Sequence, residues 1–152
     1  MSVDIQRAGE ADLADLLSLM RGYCDFYETD PSDEALLALS RALIEDPQRE
    51  GVQLIARDPD ENGERLGFAT VFWMWSTTRA VRIAVMNDLF VAPAARGRGV
   101  GEALIAACLE LARESGAAVL EWQTAPDNRA AQALYERVGG IRESWYDYHL
   151  EA

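Results

Sequence analysis

Apolar and polar residues change their spacing several times along this chain, and each change marks an element. Val3-Asp4-Ile5-Gln6-Arg7-Ala8 alternates and predicts a first strand. Over 12–23, Leu13, Leu16, Leu17 and Met20 return at helical spacing, with Gly22 near the expected end. Pro31-Ser32-Asp33-Glu34 opens a second helix, with Ser32 as its cap and Leu36, Leu37, Leu39 and Leu43 turned inward. Strand spacing follows over 51–57 and, after the polar turn 58–64, over 65–75. The turn 76–79 leads to another strand over 80–91. A helix over 100–115 puts Leu104, Ile105, Cys108, Leu111 and Ala112 on one side. A buried strand over 118–123, a helix over 127–138 and a terminal strand over 142–150 complete the pattern. Antiparallel strands followed by a βαβα run predict an α+β fold with helices on both faces of the sheet.

Composition narrows the function classes. The 152 residues predict a single domain over 1–152, and 49% hydrophobic content argues against disorder. No apolar run reaches transmembrane length, and the first residues do not resemble a signal peptide, so a cytoplasmic protein without membrane contact is expected. Cys24 and Cys108 make no metal or redox spacing, and no metal is expected. The net charge of −12 is unevenly placed: residues 1–64 hold 16 Asp and Glu against 5 Arg, residues 65–152 hold 10 against 9. A negative field repels polyphosphate backbones and gathers cations, so nucleic acid is excluded as a partner and a cationic small molecule is favoured.

The segment Asn87-Asp88-Leu89-Phe90-Val91-Ala92-Pro93-Ala94-Ala95-Arg96-Gly97-Arg98-Gly99-Val100-Gly101 carries the strongest chemical signal. An apolar strand enters a turn stripped of side chains by glycines, and a helix begins near Val100. Convergent N–H groups, the positive end of a helix dipole and two guanidinium groups fit a phosphate or pyrophosphate. A Walker-type loop is excluded, because the chain has no lysine. Read as a dinucleotide motif, Gly97-Arg98-Gly99 lacks its repeated βαβ context and a ribose-binding acid.

Arg96-x-x-Gly99-x-Gly101 directly after a Leu-Phe-Val strand resembles the acetyl-CoA loop of the GNAT superfamily of N-acetyltransferases. The stretch from Trp122 through Asn128 and Tyr135 to Gly139-Gly140 is similar to that family's second signature, and the pattern is nearest to its diamine (spermidine/spermine-like) and thialysine acetyltransferases. The resemblance implies a mixed, mostly antiparallel sheet of six to seven strands with a V-shaped split between strands 4 and 5. It implies acetyl-CoA as cofactor, a small primary amine as acceptor, direct attack in a ternary complex and a homodimer. Arg96, Gly97, Arg98, Gly99, Val100 and Gly101 would hold the diphosphate, while Leu89, Phe90, Val91 and Asn128 would line the pantetheine arm. The Leu89 N–H would face the thioester carbonyl, and Tyr135 would return a proton to the departing thiolate.

The base is where this chain departs from those relatives. They carry a glutamate at the position of Asn87, and an amide takes no proton at neutral pH. Asp88 follows, but strand alternation points it away from Asn87's face unless the strand bulges. Glu28, Glu121 or a water relay are the other candidates. Tyr23, Phe26, Tyr27 and Glu28, with Asn87, form the expected acceptor pocket. Trp73 and Trp75 either extend its aromatic wall or simply belong to a covered central strand. His149 is assigned no catalytic role. Two rival readings stay open: a protein or peptide N-acetyltransferase, and a non-catalytic acyl-CoA-binding module that has lost its base.

Overall fold

Alternation in the sequence becomes a two-faced sheet in the computed structural model, which describes residues 2–152. Its strands are β1 (Asp4–Arg7), β2 (Gly51–Asp58), β3 (Glu64–Ser76), β4 (Val81–Val91) and β5 (Leu120–Glu121). Its α-helices are α1 (Leu13–Phe26), α2 (Asp33–Glu45), α3 (Val100–Glu114) and α4 (Arg129–Arg137). The strands lie in the order β1-β2-β3-β4-β5, antiparallel up to β4 and parallel between β4 and β5.

Successive side chains on a strand point to opposite faces, so each face acquires its own core. Leu54, Ala69, Val71 and Met86 meet Leu104 and Cys108 of α3 on one face. Ile55, Phe68 and Phe90 meet Leu16 and Met20 of α1 on the other. Leu16, Ile55, Phe68 and Leu104 are fully buried, and each contributes about 1.5–3 kcal/mol by leaving water. The Ser32 hydroxyl accepts from the Ala35 N–H at 3.1 Å and caps α2 as expected. Leu39 of α2, expected inward, is instead 39% exposed, because Ser40 and Leu43 take the buried side of that helix.

Helix α1 continues past Gly22 to Phe26, so that glycine does not end it. Gly22 permits close approach: a Cβ there would stand 2.8 Å from the Phe90 ring. The extra turn carries Tyr23 and its neighbours up to the end of β4.

The sheet has five strands rather than six to seven. Two rungs alone, Ala84–Leu120 and Val85–Glu121, join β4 to β5, and β4 runs on to Val91 without a neighbour on that side. This is the expected split. The terminal segment 142–150 forms no strand, although its alternation suits one. A strand exists by pairing, and this segment pairs with no edge of the sheet.

Candidate active site

Cross-strand register explains the first feature of the site. Thr70 stands opposite Asp88, but the next rung pairs Val71 with Met86, so Asn87 is a surplus residue bulged out of β4. A bulge shifts the side-chain parity of everything beyond it. Met86 belongs to the core beneath α3, yet Phe90 packs against α1, and Asp88 is turned to that same α1 face. The condition under which Asp88 joins the acceptor side is therefore met. Asn87 is exposed, and its amide donates to Asp88 at 3.0 Å.

A buried polar chain stands behind Asp88. The Gln53 amide donates to the Thr70 hydroxyl at 3.1 Å, and that hydroxyl donates to the Asp88 carboxylate. Thr70 and Gln53 are both buried. Burial pushes the Asp88 carboxyl above the usual carboxylate range, opposed by hydrogen bonds from Thr70, Asn87 and Tyr23. The Tyr23 hydroxyl lies 3.3 Å from the Asn87 carbonyl oxygen, a long contact, and Asp88 is the stronger acceptor for its proton. Burial, and next the Asp88 charge, raise the Tyr23 phenol far above its ordinary value. Tyr23 is thus a neutral donor at any ordinary pH.

The expected acceptor residues gather here unevenly. Tyr27 packs on Tyr23 with ring centroids 5.0 Å apart, and Phe26 meets Tyr27 edge-on at 5.1 Å. Glu28 is exposed in the left-handed region at φ 56. Trp73 and Trp75 are absent from this pocket. They pair with Ala84 and Arg82 at the far end of the β3–β4 hairpin, where the Trp73 indole donates to the Pro47 carbonyl at 2.7 Å. Glu121 is exposed on β5.

Main-chain groups of β4 face the split. Ala92 donates its N–H to the Leu66 carbonyl on the β3 side, so alternation directs the N–H groups of Val91 and Leu89 the other way. Val91 also offers its carbonyl there, where the Arg96 guanidinium donates to it at 3.1 Å. Beyond this strand, Gly97 and Gly99 adopt φ 75 and 82, a region costly for other residues. A Cβ at either position would meet nothing within 4 Å, so the turn is open above its backbone. Gly99 caps α3 and its carbonyl accepts from Ala103, which leaves the N–H groups of Val100, Gly101 and Glu102 free of helical partners.

Gly101 and the two arginines also make contacts within the protein. Gly101 is buried in the first turn of α3, where a Cβ would stand 3.1 Å from Leu134 of α4. The Arg96 guanidinium lies over the Phe90 ring at 5.8 Å. Arg98 pairs with the buried Asp58 carboxylate at 3.0 Å. Both arginines brace the loop against the sheet; the backbone amides supply its open face.

Across the split, Asn128 caps α4 by accepting from the Ala131 N–H at 3.2 Å. Tyr135 of α4 packs against Trp122 with ring centroids 5.3 Å apart. Burial pushes its phenol above the ordinary range, and the neighbouring Tyr27 phenol adds to this. Asp88, Tyr23 and Tyr27 thus stand together on one side of the opening, and Tyr135 packs with Trp122 on the other. Sequence reasoning missed Thr70 and Gln53. A hydroxyl inside the apolar run of β3 was the available signal for the first. Cys24 and Cys108 are free thiols, and burial pushes Cys108 up to about 12, which leaves it inert. No group of metal-binding side chains occurs among the described residues, and no described helix is long and apolar enough to cross a membrane.

Known proteins resemble this chain in sequence and in fold. The profile of the acetyltransferase (GNAT) family matches residues 14–140. An uncharacterised N-acetyltransferase of Bacillus subtilis, YhfO, is 36% identical over 137 residues, covering 90% of this chain and 89% of that protein. The thialysine N-epsilon-acetyltransferase of Mus musculus is 26% identical over 166 residues, covering 99% and 93%. Among solved structures, the aminoglycoside N-acetyltransferase AAC(6')-Iy bound to a bisubstrate analogue superposes with a TM-score of 0.82. It is 21% identical and covers 100% of this chain and 99% of that one.

Proposed function

The chain belongs to the GNAT acetyltransferase family, and from that premise we propose that it acetylates a small primary amine by direct attack, with Asp88 as proton acceptor and Tyr135 as proton donor. Enzymes of this family use acetyl-CoA, which supplies an acetyl group activated as a thioester. The groups of this chain fit that cofactor. Free N–H groups at Leu89 and Val91 suit an added strand-like partner, and the open Gly97–Gly99 turn with the α3 N-terminus suits a diphosphate.

One observation carries the acceptor side: the bulge at Asn87 turns Asp88 toward Tyr23 and the opening. An alkyl ammonium, with a pKa near 10, is deprotonated to only about one part in a thousand at pH 7. A carboxylate of raised proton affinity is a better base for it than an ordinary aspartate. Asp88 takes the ammonium proton at its carboxylate oxygen, which removes the objection that Asn87 left the chain without a base. Tyr23 donates to that carboxylate and holds its orientation. Burial keeps Tyr135 protonated, and its Oη would give that proton to the departing thiolate, leaving a phenolate that solvent reprotonates.

The acceptor is a small amine carried as a cation. The net charge of −11 over residues 1–64, which include α1, favours an ammonium over an anionic substrate. Thiol release from acetyl-CoA, measured across polyamines, basic amino acids, aminoglycosides and peptides, tests the proposal. Release that depends on a small amine supports it; release with peptides alone would move the acceptor to a protein amine.

A further inference from the structure

Two rows of side chains cross β2, β3 and β4 on the face that α1 covers, and they differ in kind. Ile55, Phe68 and Phe90 stand opposite one another and are apolar. Two positions along the strands, Gln53, Thr70 and Asp88 stand opposite one another in the same way and are polar. Gln53 and Thr70 are buried. Burying polar groups costs free energy that an apolar row avoids, so packing alone does not account for the second row.

The direction of donation along this row matters. A hydroxyl has one proton to give and rotates to suit its neighbours. Thr70 stands between the Gln53 amide and the Asp88 carboxylate, so its proton can serve either side. An amide oxygen facing Thr70 would draw the proton toward Gln53. An amide nitrogen facing it occupies the hydroxyl oxygen as acceptor and leaves the proton for Asp88. Gln53 Nε2 donates to Thr70 Oγ1 at 3.1 Å, which is the second arrangement.

Met20 of α1 decides which end of the amide faces inward. Its Sδ lies 3.6 Å from the same Gln53 Nε2, and a thioether accepts a hydrogen bond but has none to give. An amide oxygen in that place would lose both contacts as acceptors and gain only the Thr70 proton. Ser40, packed in from α2, donates to the same sulfur at 3.7 Å. We propose that Gln53 is a positioning residue for Asp88: its amide, held nitrogen-first by the Met20 thioether, turns the Thr70 hydroxyl proton onto the Asp88 carboxylate. Its bearing on acetyl transfer rests on Asp88 being the proton acceptor; the hydrogen-bonded row does not.

Uncharged donors govern Asp88. Thr70 reaches it from β3, Asn87 from β4 and Tyr23 from α1, with Tyr27 stacked on Tyr23. Strand β5 pairs no further along β4 than Val85, opposite Glu121, and the Arg96 guanidinium lies over the Phe90 ring. Each of the three donors favours the ionised carboxylate. Losing the Gln53 amide lets the Thr70 proton turn away and weakens one of them.

Carbon-13 NMR of side-chain carboxyl groups, titrated with pH in the full-length protein, tests the proposal; Asp88→Asn identifies the Asp88 resonance by its loss. Gln53→Met keeps a side chain of similar length and removes the amide. It is expected to move the Asp88 midpoint up by about half a pH unit, roughly a threefold change in proton affinity. In a Thr70→Val background the same substitution is expected to move nothing, because the hydroxyl that carries the effect is gone. Met20→Leu conserves volume and frees the amide to turn over, so a shift of the same sign is expected. A midpoint unmoved by Gln53→Met or by Met20→Leu, or moved equally with and without the Thr70 hydroxyl, would overturn the proposal. The acidic limb of kcat/KM in the same variants separates it from the catalytic reading. A limb that stays while the NMR midpoint moves would uphold Gln53 as positioning Asp88 and remove Asp88 as the base.

Discussion

Thr70 of β3 and Asp88 of β4 face each other across the sheet, one rung from the register break that leaves Asn87 without a cross-strand partner. The pair joins a buried hydroxyl to a carboxylate at the mouth of the split; burial raises the proton affinity of that carboxylate, and the Thr70 hydrogen bond opposes the rise.

Asp88→Asn keeps the shape and removes the base. Amine-dependent turnover is expected to fall about 100-fold or more, the scale of general-base assistance. Stability separates this loss from unfolding. A carboxyl whose folded pKa is raised is penalised for ionising: the penalty is absent below its unfolded pKa of about 3.9 and complete above the folded one. The variant should therefore melt no lower than wild type at pH 7, with any advantage gone near pH 3.5. A variant that melts well below wild type at pH 7 would make Asp88 structural.

Thr70→Val removes a hydrogen bond that favours ionised Asp88. Its loss raises the Asp88 pKa further, so the acidic limb of the kcat/KM profile should move to higher pH. Thr70→Ser should restore the wild-type limb. A limb that stays in place in the valine variant would separate Thr70 from the proton acceptor.

Tyr135→Phe retains the ring that packs on Trp122 and deletes the hydroxyl. Turnover should fall at least tenfold while acetyl-CoA affinity, measured by calorimetry, changes little. Unchanged turnover across pH would remove Tyr135 from the chemistry.

Gly99 at φ 82 begins α3 and borders the open turn. Gly99→Ala places a Cβ in the left-handed region at a cost of about 1–2 kcal/mol, though it meets no neighbour. Gly99→Glu adds bulk and negative charge above the free N–H groups. Calorimetry should show acetyl-CoA binding weakened moderately by the first change and severely by the second. Wild-type affinity in both variants would place the diphosphate elsewhere.

Much of this site is legible along the chain because its signals are local. The alternation in 51–57, 65–75 and 80–91 depends on which neighbour in sequence faces which way, and strands appear there. Glycines at 97 and 99 must accept positive φ wherever the loop sits, and Asn128 caps its own helix. Other features depend on a partner that the local pattern does not contain. Whether Asp88 faces α1 or α3 is a matter of how β4 registers against β3, and one surplus residue reverses it. Gly22 reads as a helix end until Phe90 is brought against it, and the pairing of Arg98 with the buried Asp58 joins two segments distant in sequence. The alternation in 142–150 predicts a strand, but a strand also needs a paired neighbour. Sequence alone determined the elements and the chemical inventory, since both follow from each residue's own backbone and side chain. Tertiary structure decided which inventory meets, since register, close approach and pairing are properties of two segments at once.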